Sequence, residues 1–501
     1  MKAFLMYPDR DFDLKRKLPS NEHALMQDLE LDILFNAMAL GDKFLAEVVK
    51  SAVLSGLRDD LDTIGYRQRV LQDCLKNRAV VREIYDVAVK AIEKEKKVYY
   101  GILGRHADSI LARSIEALQM FVGMLRQLRR VADEHAERFE SEGFTAFFAM
   151  VNQELSDDYF ASVQNHLREL KLRDGALISA ELGAGNRGAN YTLRKSQVKQ
   201  SWMERFFAKR PPEYTIYIAD RDDNGARALS EIRERGINLV ANALAQSADH
   251  ILSFFNMLRT ELAFYVGCLN LQGRLADMGA PIVFPQPAAL GERRHSFAGL
   301  YDVCLALALG QRIVGNDLRA DDKHLVIITG ANQGGKSTFM RSIGLSQLMM
   351  QCGMFVPAEF YCANVCDGLF THYKREEDVT MKSGKLDEEL SRMSDIIDNI
   401  TLGSVVLFNE SFAATNEREG SEIASQIIHA LLEKRIKVFF VTHLYEFAHG
   451  FYERKLEAAI FLRAERQADG GRTFRVTEAE PLQTSYGEDL YKTIFRTGDS
   501  F

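Results

Sequence analysis

The stretch ITGANQGGKSTFM, residues 328–340, decides the fold. Gly330, Gly335, Lys336 and Ser337 satisfy the spacing G-x-x-x-x-G-K-[ST], in which loop amides and a helix N-terminus surround a phosphate. The pattern carries weight only between a strand and a helix. Both flanks comply: LVIIT (325–329) is a short apolar, β-branched run, and STFMRSIGLSQLMM (337–350) has helical texture. In that context Lys336 is expected to neutralise the β- and γ-phosphates of a nucleotide, and Ser337 to ligate Mg2+.

Two further apolar runs, SVVLF (404–408) and KVFFVT (437–442), have the look of strands buried on both faces. The first ends in Asn409-Glu410, where nucleotide hydrolases hold the metal's water shell and the attacking water. Glu410 keeps the carboxylate that orients or deprotonates water. Asn409 offers an amide oxygen but no charge, so Mg2+ is expected to be held less tightly. A slow or inactive site that still binds nucleotide is the competing reading. The second run ends in Thr442-His443; alone, a strand-end histidine is more often structural, and its place after the other two motifs makes a γ-phosphate sensor of it. At 383–400, SGKLDEELSRMSDIIDNI reads as a helix with Leu386, Leu390, Met393, Ile397 and Ile400 on one face. Its Ser383–Gly384 start could face a phosphate bound by a second subunit.

Before this region the texture differs. No proline lies between Pro19 and Pro211, or between Pro212 and Pro281, so both intervals can carry long helices. Leu118, Phe121, Val122, Leu125, Leu128 and Val131 form one apolar stripe within a helical stretch from 80 to about 144, with Gly101 and Gly104 as interruptions. ALISAEL, GAGNRG and ANYTL (176–193) read as two strands and a turn, and EYTIYIA (213–219) as a third strand. Helix is expected again from Ala226 to about Met278, with Ile251, Phe254, Phe255, Leu258, Leu262 and Tyr265 on one face. PIVFPQP (281–287) marks a boundary, after which strand and helix alternate. The expected organisation is a helical core and lever (1–169), a small β insertion (170–225), a returning lever (226–290) and an α/β domain (291–501).

The chain has 501 residues, of which 47% are apolar and 27% charged, an ordinary globular composition. A net charge of −7 excludes a chain that is basic throughout, yet residues 187–210 carry seven basic side chains against one acid, Glu204. That cluster suits a polyanion; a solvated surface loop fits it equally. Tyr191 and Trp202 within it are read as packing residues, with stacking on exposed bases as the alternative. No run of about 18 apolar residues suggests a membrane span, and the first residues lack the apolar core of a secretion signal. Cys74, Cys268, Cys304, Cys352, Cys362 and Cys366 form no C-x-x-C pair and read as buried thiols, which points to a reducing compartment, most simply the cytoplasm.

With these motifs in order, the chain resembles the MutS family of DNA mismatch-repair ATPases. GANQGGKST resembles that family's phosphate loop, and CDGLFTHYKREED followed by SGK its approach to the signature helix. NESFAATNEREGSEIA is similar to its acidic pair and the loop that crosses to the other subunit, VTHLYEF to its threonine-histidine switch, and TSYGEDL (484–490) to its closing motif. GNDL (315–318) stands where the family has a segment beside the adenine. Residues 39–75, with Ile64, Arg67 and Gln68, resemble the start of its helical core. The likeness covers about residues 25 to 495, strongly in the C-terminal third and loosely before.

The resemblance implies an α/β P-loop ATPase domain of ABC type at the C-terminus, preceded by a mostly helical core and lever with a small β insertion. It implies ATP and Mg2+ as cofactors, and a DNA-bound homodimer whose composite sites combine Gly330, Asn332, Gly334, Gly335, Lys336, Ser337 and Thr338 of one chain with Ser383 and Gly384 of the other. Ser337 and Asn409 would serve the metal, Glu410 and His443 catalysis, and Arg187, Arg194, Lys195, Lys199, Lys209 and Arg210 the DNA phosphates. The departures are equally specific. No mismatch-reading wedge with Phe-x-Glu is found, and neither a helix-turn-helix nor a nuclease-like tail is seen. Leu386 stands at the signature serine and Ile313 where an aromatic usually stacks on adenine. Two alternatives stay open: action on structured RNA or ribosomes, and a nucleotide-gated scaffold without hydrolysis.

Overall fold

The computed structural model describes residues 1–101, 106–172, 175–194, 214–375, 384–467 and 471–483. They divide into two compact units interleaved along the chain: residues 4–78, 141–143 and 260–501 in one, residues 1–3, 79–140 and 144–259 in the other. Composition drew consecutive segments, whereas the first 78 residues, apart from the first three, are grouped here with the C-terminal region.

The α/β unit begins with four helices, α1 (Glu22–Asp28), α2 (Leu31–Ala39), α3 (Lys43–Ser55) and α4 (Leu61–Lys76). Aspartates open two of them: Asp42 accepts from the amides of Phe44 and Leu45, and Asp60 from that of Thr63. The helical unit is built from α5 (Arg78–Gly101), α6 (Ala107–His135), α7 (Glu142–Glu154) and α8 (Asp157–Glu169), the hairpin β1 (Leu177–Leu182) and β2 (Gly188–Arg194), and α9 (Asp223–Asp277) through Arg259. The stripe from Leu118 to Val131 is the buried face of α6, as its spacing requires. Phe121 stacks on Phe255 of α9 with centroids 5.9 Å apart. The strand expected at 213–219 does not form among the described residues: 214–219 pair with nothing, and Tyr214, Ile216 and Tyr217 are exposed. A strand needs a neighbour for its backbone groups, and β1 and β2 ladder with each other.

The C-terminal region of the α/β unit continues with β3 (Gln286–Ala288), β4 (His295–Leu300), α10 (Val303–Leu309), β5 (Asn316–Arg319), β6 (Leu325–Gly330) and α11 (Lys336–Gln351). Then come β7 (Phe360–Asn364), β8 (Leu369–Tyr373), α12 (Lys385–Asn399), β9 (Val405–Asn409) and α13 (Glu417–Glu433). The last elements are β10 (Lys437–Val441), α14 (Tyr445–Glu453), β11 (Ala459–Arg466) and β12 (Arg472–Glu478). Six strands form one sheet in the order β12-β11-β6-β10-β9-β8, parallel except for β12. The others make a small mixed sheet, β3-β7-β4-β5. The three runs expected to be buried strands are β6, β9 and β10.

Helix α12 buries only part of the face expected: Met393 is buried and Ile400 packs against the core, as the spacing implies. Glu389, Met393 and Ile396 point inward, while Leu390 and Ile397 are exposed. Met393 and Ile396 belong to the core that also holds Val406, Phe408 and Phe440 of the sheet, so packing chose the stripe one residue away from Leu390 and Ile397. The six cysteines are free; five are buried, and Cys362 is only half-buried. No helix among the described residues is long and apolar enough to cross a membrane.

A buried cation unites the α/β unit. Arg67 of α4 is fully buried and donates to Asp59 Oδ2 at 2.8 Å, to Met6 O at 2.9 Å and to Cys352 O at 3.5 Å. Its guanidinium also lies 4.5 Å from the Tyr7 ring centroid. Gly353 is adjacent, and a Cβ there would come within 2.5 Å of Arg67 Cβ. Arg67→Met removes one partner of a buried pair, and such losses cost about 3–5 kcal/mol. Equilibrium urea unfolding should show a drop of that order, and a loss under 1 kcal/mol would contradict the role assigned to Arg67.

Candidate nucleotide site

Strand β10 lies between β6 and β9, with Val438 opposite Leu325 and Lys437 opposite Val405. All three run parallel, so Gly330, Thr442-His443 and Asn409-Glu410 emerge at one edge of the sheet. Ligands of open parallel sheets sit outside this carboxyl edge.

The loop after β6 depends on glycine at two kinds of position. Gly330 has φ +111°, and a Cβ there would come within 2.9 Å of the Ala464 backbone nitrogen on β11. Gly335 has φ +85° and turns the chain into α11. Lys336 follows, buried, its ammonium donating to Gly330 O at 3.0 Å and Ala331 O at 2.9 Å. Burial lowers its pKa, Glu410 opposes that shift, and Arg472 adds to it. Ser337 Oγ donates to Asn409 Oδ1 at 3.0 Å, joining α11 to the end of β9. Glu410 adopts a left-handed φ of 55°, which costs energy for a residue with a Cβ; its amide donates to Val441 O at 2.9 Å.

A cleft of ≈ 710 Å³ opens here, within the usual range for small-molecule sites. Asn332, Gly334, Gly335, Lys336, Ser337, Thr338 and Glu410 line it, with Ile313 and Phe474. Gly330 and Asn409 act on it through their hydrogen bonds to Lys336 and Ser337. His443 is exposed and does not line this cleft; neither does Gly384, which precedes the first turn of α12. Ser383, Trp202, the closing motif at 484–490 and Lys195, Lys199, Lys209 and Arg210 lie outside the described residues. Arg187 follows the turn after β1, and Arg194 ends β2 with Nε donating to Ser179 Oγ at 2.8 Å; both are exposed.

Two contributors escaped the sequence reading. Phe474 of β12 brings an aromatic ring to the cleft that Ile313 leaves without one, and Asn316 positions it. The Asn316 amide donates to Phe474 O at 3.3 Å, and its oxygen accepts from the Val476 amide at 2.7 Å. The signal was one aromatic in the alternating run RTFRVTE, too short to assign to a site before its strand was placed. His372 of β8 is the other. It is buried, with Nε2 2.9 Å from Glu389 O and Nδ1 2.7 Å from Ser411 Oγ, and so ties α12 to the residue after Glu410. Burial first, then the neighbouring Arg392, push its pKa down to about 4, so it is neutral at neutral pH.

The oxygens at the Ser337–Asn409 contact, with Glu410 beside them, are hard donors of the type that suits Mg2+ completed by water and phosphate. Among the described residues, no cluster of three His, Cys, Asp or Glu side chains forms a protein-only metal site.

Residues 59–278 match the family model described as the MutS2 N-terminal domain, and residues 326–494 match MutS domain V. The DNA mismatch repair protein MutS of Leptospira interrogans is 26% identical over 331 residues, covering 63% of this chain and 38% of that protein. The corresponding protein of Parabacteroides distasonis is 25% identical over 420 residues, covering 78% and 46%. Human MutS protein homolog 4 is 27% identical over 228 residues, covering 44% and 23%. The chain thus spans less than half the length of these curated relatives.

Stacking on Phe474 makes a prediction about the base alone. Its side chain is half-exposed, so Phe474→Ala should fold normally. Base–aromatic stacking is worth about 1–3 kcal/mol, so affinity for an adenine nucleotide should fall about tenfold or more while affinity for inorganic triphosphate stays unchanged. Calorimetric titration with both ligands separates the two; equal losses would remove Phe474 from base recognition.

Proposed function

Because the chain belongs to the MutS family, we propose that it binds and hydrolyses ATP in the cleft around Lys336 and couples that cycle to DNA. The domain would then be an ABC-type P-loop ATPase. The observation that carries this reading is the convergence of Lys336, the Ser337–Asn409 contact and Glu410 on one cleft at the carboxyl edge of β6 and β9.

In this reading, the Lys336 ammonium turns from the Gly330 and Ala331 carbonyls to the β- and γ-phosphates. That contact reverses the effect of burial, because an anion beside the ammonium favours its charged form. The amides at the start of α11 add further donors. Ser337 and Asn409 would hold Mg2+, which supplies charge neutralisation to the phosphates. Glu410 orients the attacking water, held in place by the hydrogen bond its amide donates to Val441 O and by the Ser411–His372 contact that follows it. His443, at the tip of β10, would sense the γ-phosphate.

A second subunit would complete each site with its Ser383–Gly384 helix start and its 411–420 loop. The exposed Leu390 and Ile397 on α12 support such a partner, since apolar side chains left in water favour burial. Arg187 and Arg194, with Lys195, Lys199, Lys209 and Arg210, would grip DNA phosphates without reading bases. Helix α9 begins in the helical unit and ends in the α/β unit, so it offers a continuous covalent route between grip and ATPase.

Lys336→Ala should abolish ATP binding measured by equilibrium dialysis. Glu410→Gln should retain binding yet lose at least about a hundredfold in steady-state turnover, the scale of a general base. Full turnover in Glu410→Gln would remove that residue from the mechanism. For DNA, six phosphate contacts predict a slope near about −5 when log affinity is plotted against log salt. Fluorescence anisotropy with labelled duplex across a salt series measures it, and a flat profile would refute the basic grip.

A further inference from the structure

The opposite edge of the six-stranded sheet, where β6, β9 and β10 begin, carries a second cleft of ≈ 510 Å³. It shares no lining residue with the nucleotide cleft. Five cations line it, Arg293, Lys323, Lys434, Arg435 and Lys437, against one carboxylate, Glu433. A basic surface alone is commonplace. The decisive feature is that one of the five is buried.

Lys437, the first residue of β10, is 8% exposed. Its ammonium makes a single long hydrogen bond, to Ala320 O at 3.3 Å, and no carboxylate stands within ion-pair distance of it among the described residues. Asp321 and Asp322 favour its charged form from farther away, without offsetting its burial. A buried cation is normally matched by a partner; here burial lowers the pKa to about 7, the Phe439 ring centroid lies 5.9 Å from the ammonium, and two of its three donors make no hydrogen bond among the described residues. His324, next to it, adds no negative charge: burial, with Arg293, Lys437 and Arg435 nearby, lowers its pKa and keeps the ring neutral. Arg293 and Arg435 form no ion pair among the described residues, and both stand on left-handed backbone, with φ 53° and 57°. Those turns set two guanidinium groups on the cleft at a conformational cost.

We propose that this cleft binds the terminal phosphate or pyrophosphate of a small phosphorylated molecule, with Lys437 at its floor and Arg293 and Arg435 at its rim. Guanidinium groups match phosphate oxygens in pairs, whereas an ammonium acts as a point charge, and the cleft offers both. Its concavity favours a small ligand over a nucleic acid. A duplex presents its phosphodiesters on a broad convex surface, from which an almost buried ammonium is out of reach. Leu290 and Leu402, both exposed at the lining, add apolar area for the rest of such a ligand.

The test uses the full chain carrying Lys336→Ala, which removes the phosphate-loop lysine, titrated with inorganic pyrophosphate in a calorimeter. One pyrophosphate should bind per chain. Adding Lys437→Met should weaken that binding at least tenfold, and the paired Arg293→Ala, Arg435→Ala substitutions should do the same. The rim pair decides the matter if Lys437→Met does not fold. Absence of pyrophosphate binding, an affinity indifferent to both sets of substitutions, or displacement of pyrophosphate by a short DNA duplex would each overturn the proposal. Failure here leaves the nucleotide reading standing, since ATP binding by the unsubstituted chain and its loss in Lys336→Ala are measured separately.

Discussion

The burial of one guanidinium organises the α/β unit. A charge removed from water must be met by hydrogen bonds or an opposite charge, and Arg67 is met by three separate stretches: the Asp59 carboxylate, the Met6 carbonyl and the Cys352 carbonyl. Cys352 is the C-terminal cap of α11, the helix whose first residues are Lys336 and Ser337. Arg67 therefore holds the far end of the helix that would carry phosphate at its near end. Gly56 packs directly on Cys352, where a Cβ would come within 2.9 Å of its Cα, and Gln351 donates to Cys366 O. A shift of α11 along its axis on nucleotide binding would be felt at these contacts, because close-packed interiors transmit strain.

The two edges of the sheet differ in how their lysines are matched. At the carboxyl edge, Lys336 has two loop carbonyls and the nearby Glu410 carboxylate, so its positive charge is partly met within the fold. At the amino edge, Lys437 has one long bond and more distant carboxylates. Parallel strands bring functional side chains to both of their ends, but the carboxyl end is where ligands of open sheets usually bind. That makes the sparsely partnered lysine at the amino end the more informative of the two, since nothing in the strand arrangement itself requires a lysine there.

The strand–turn–helix at 325–351 was legible because its glycines meet tight backbone constraints: Gly330 and Gly335 have positive φ, and a Cβ on Gly330 would meet Ala464. The strands β6, β9 and β10 were legible because burial on both faces leaves a continuous apolar run. The exposure of Leu390 and Ile397 on α12 and the absence of a strand at 214–219 among the described residues share one cause. Each depends on which neighbour is present, and periodicity describes a segment without its neighbour. Leu390 and Ile397 fit a helical stripe with Met393 as well as Ile396 does; only the sheet beneath distinguishes them. Phe474 and His372 were hidden for a related reason. Their roles come from β12 lying beside the loop and β8 beside β9, pairings between segments far apart in sequence, whereas the grouping of residues 4–78 with the C-terminal region rests on a buried arginine whose partners cannot be read from its own helix.

Asn409 has consequences that reach past metal affinity. A carboxylate at that position would set a second negative charge beside Glu410, and both would oppose an incoming triphosphate until a cation intervened. The amide removes that repulsion, so the phosphates of the proposed nucleotide would meet Lys336 and the α11 amides against one carboxylate instead of two. In the proposed function, binding would then depend less on the metal, while Glu410 would remain as the carboxylate for hydrolysis. Glu410 is held at an uncommon φ, and the His372–Ser411 contact beside it reaches back to the Glu389 carbonyl of α12. The helix proposed to meet a second subunit is therefore linked, through one neutral imidazole, to the neighbour of the residue proposed to orient water. Movement of α12 would alter the geometry of Glu410 without touching the loop after β6, which in the proposed function would separate control of hydrolysis from control of binding.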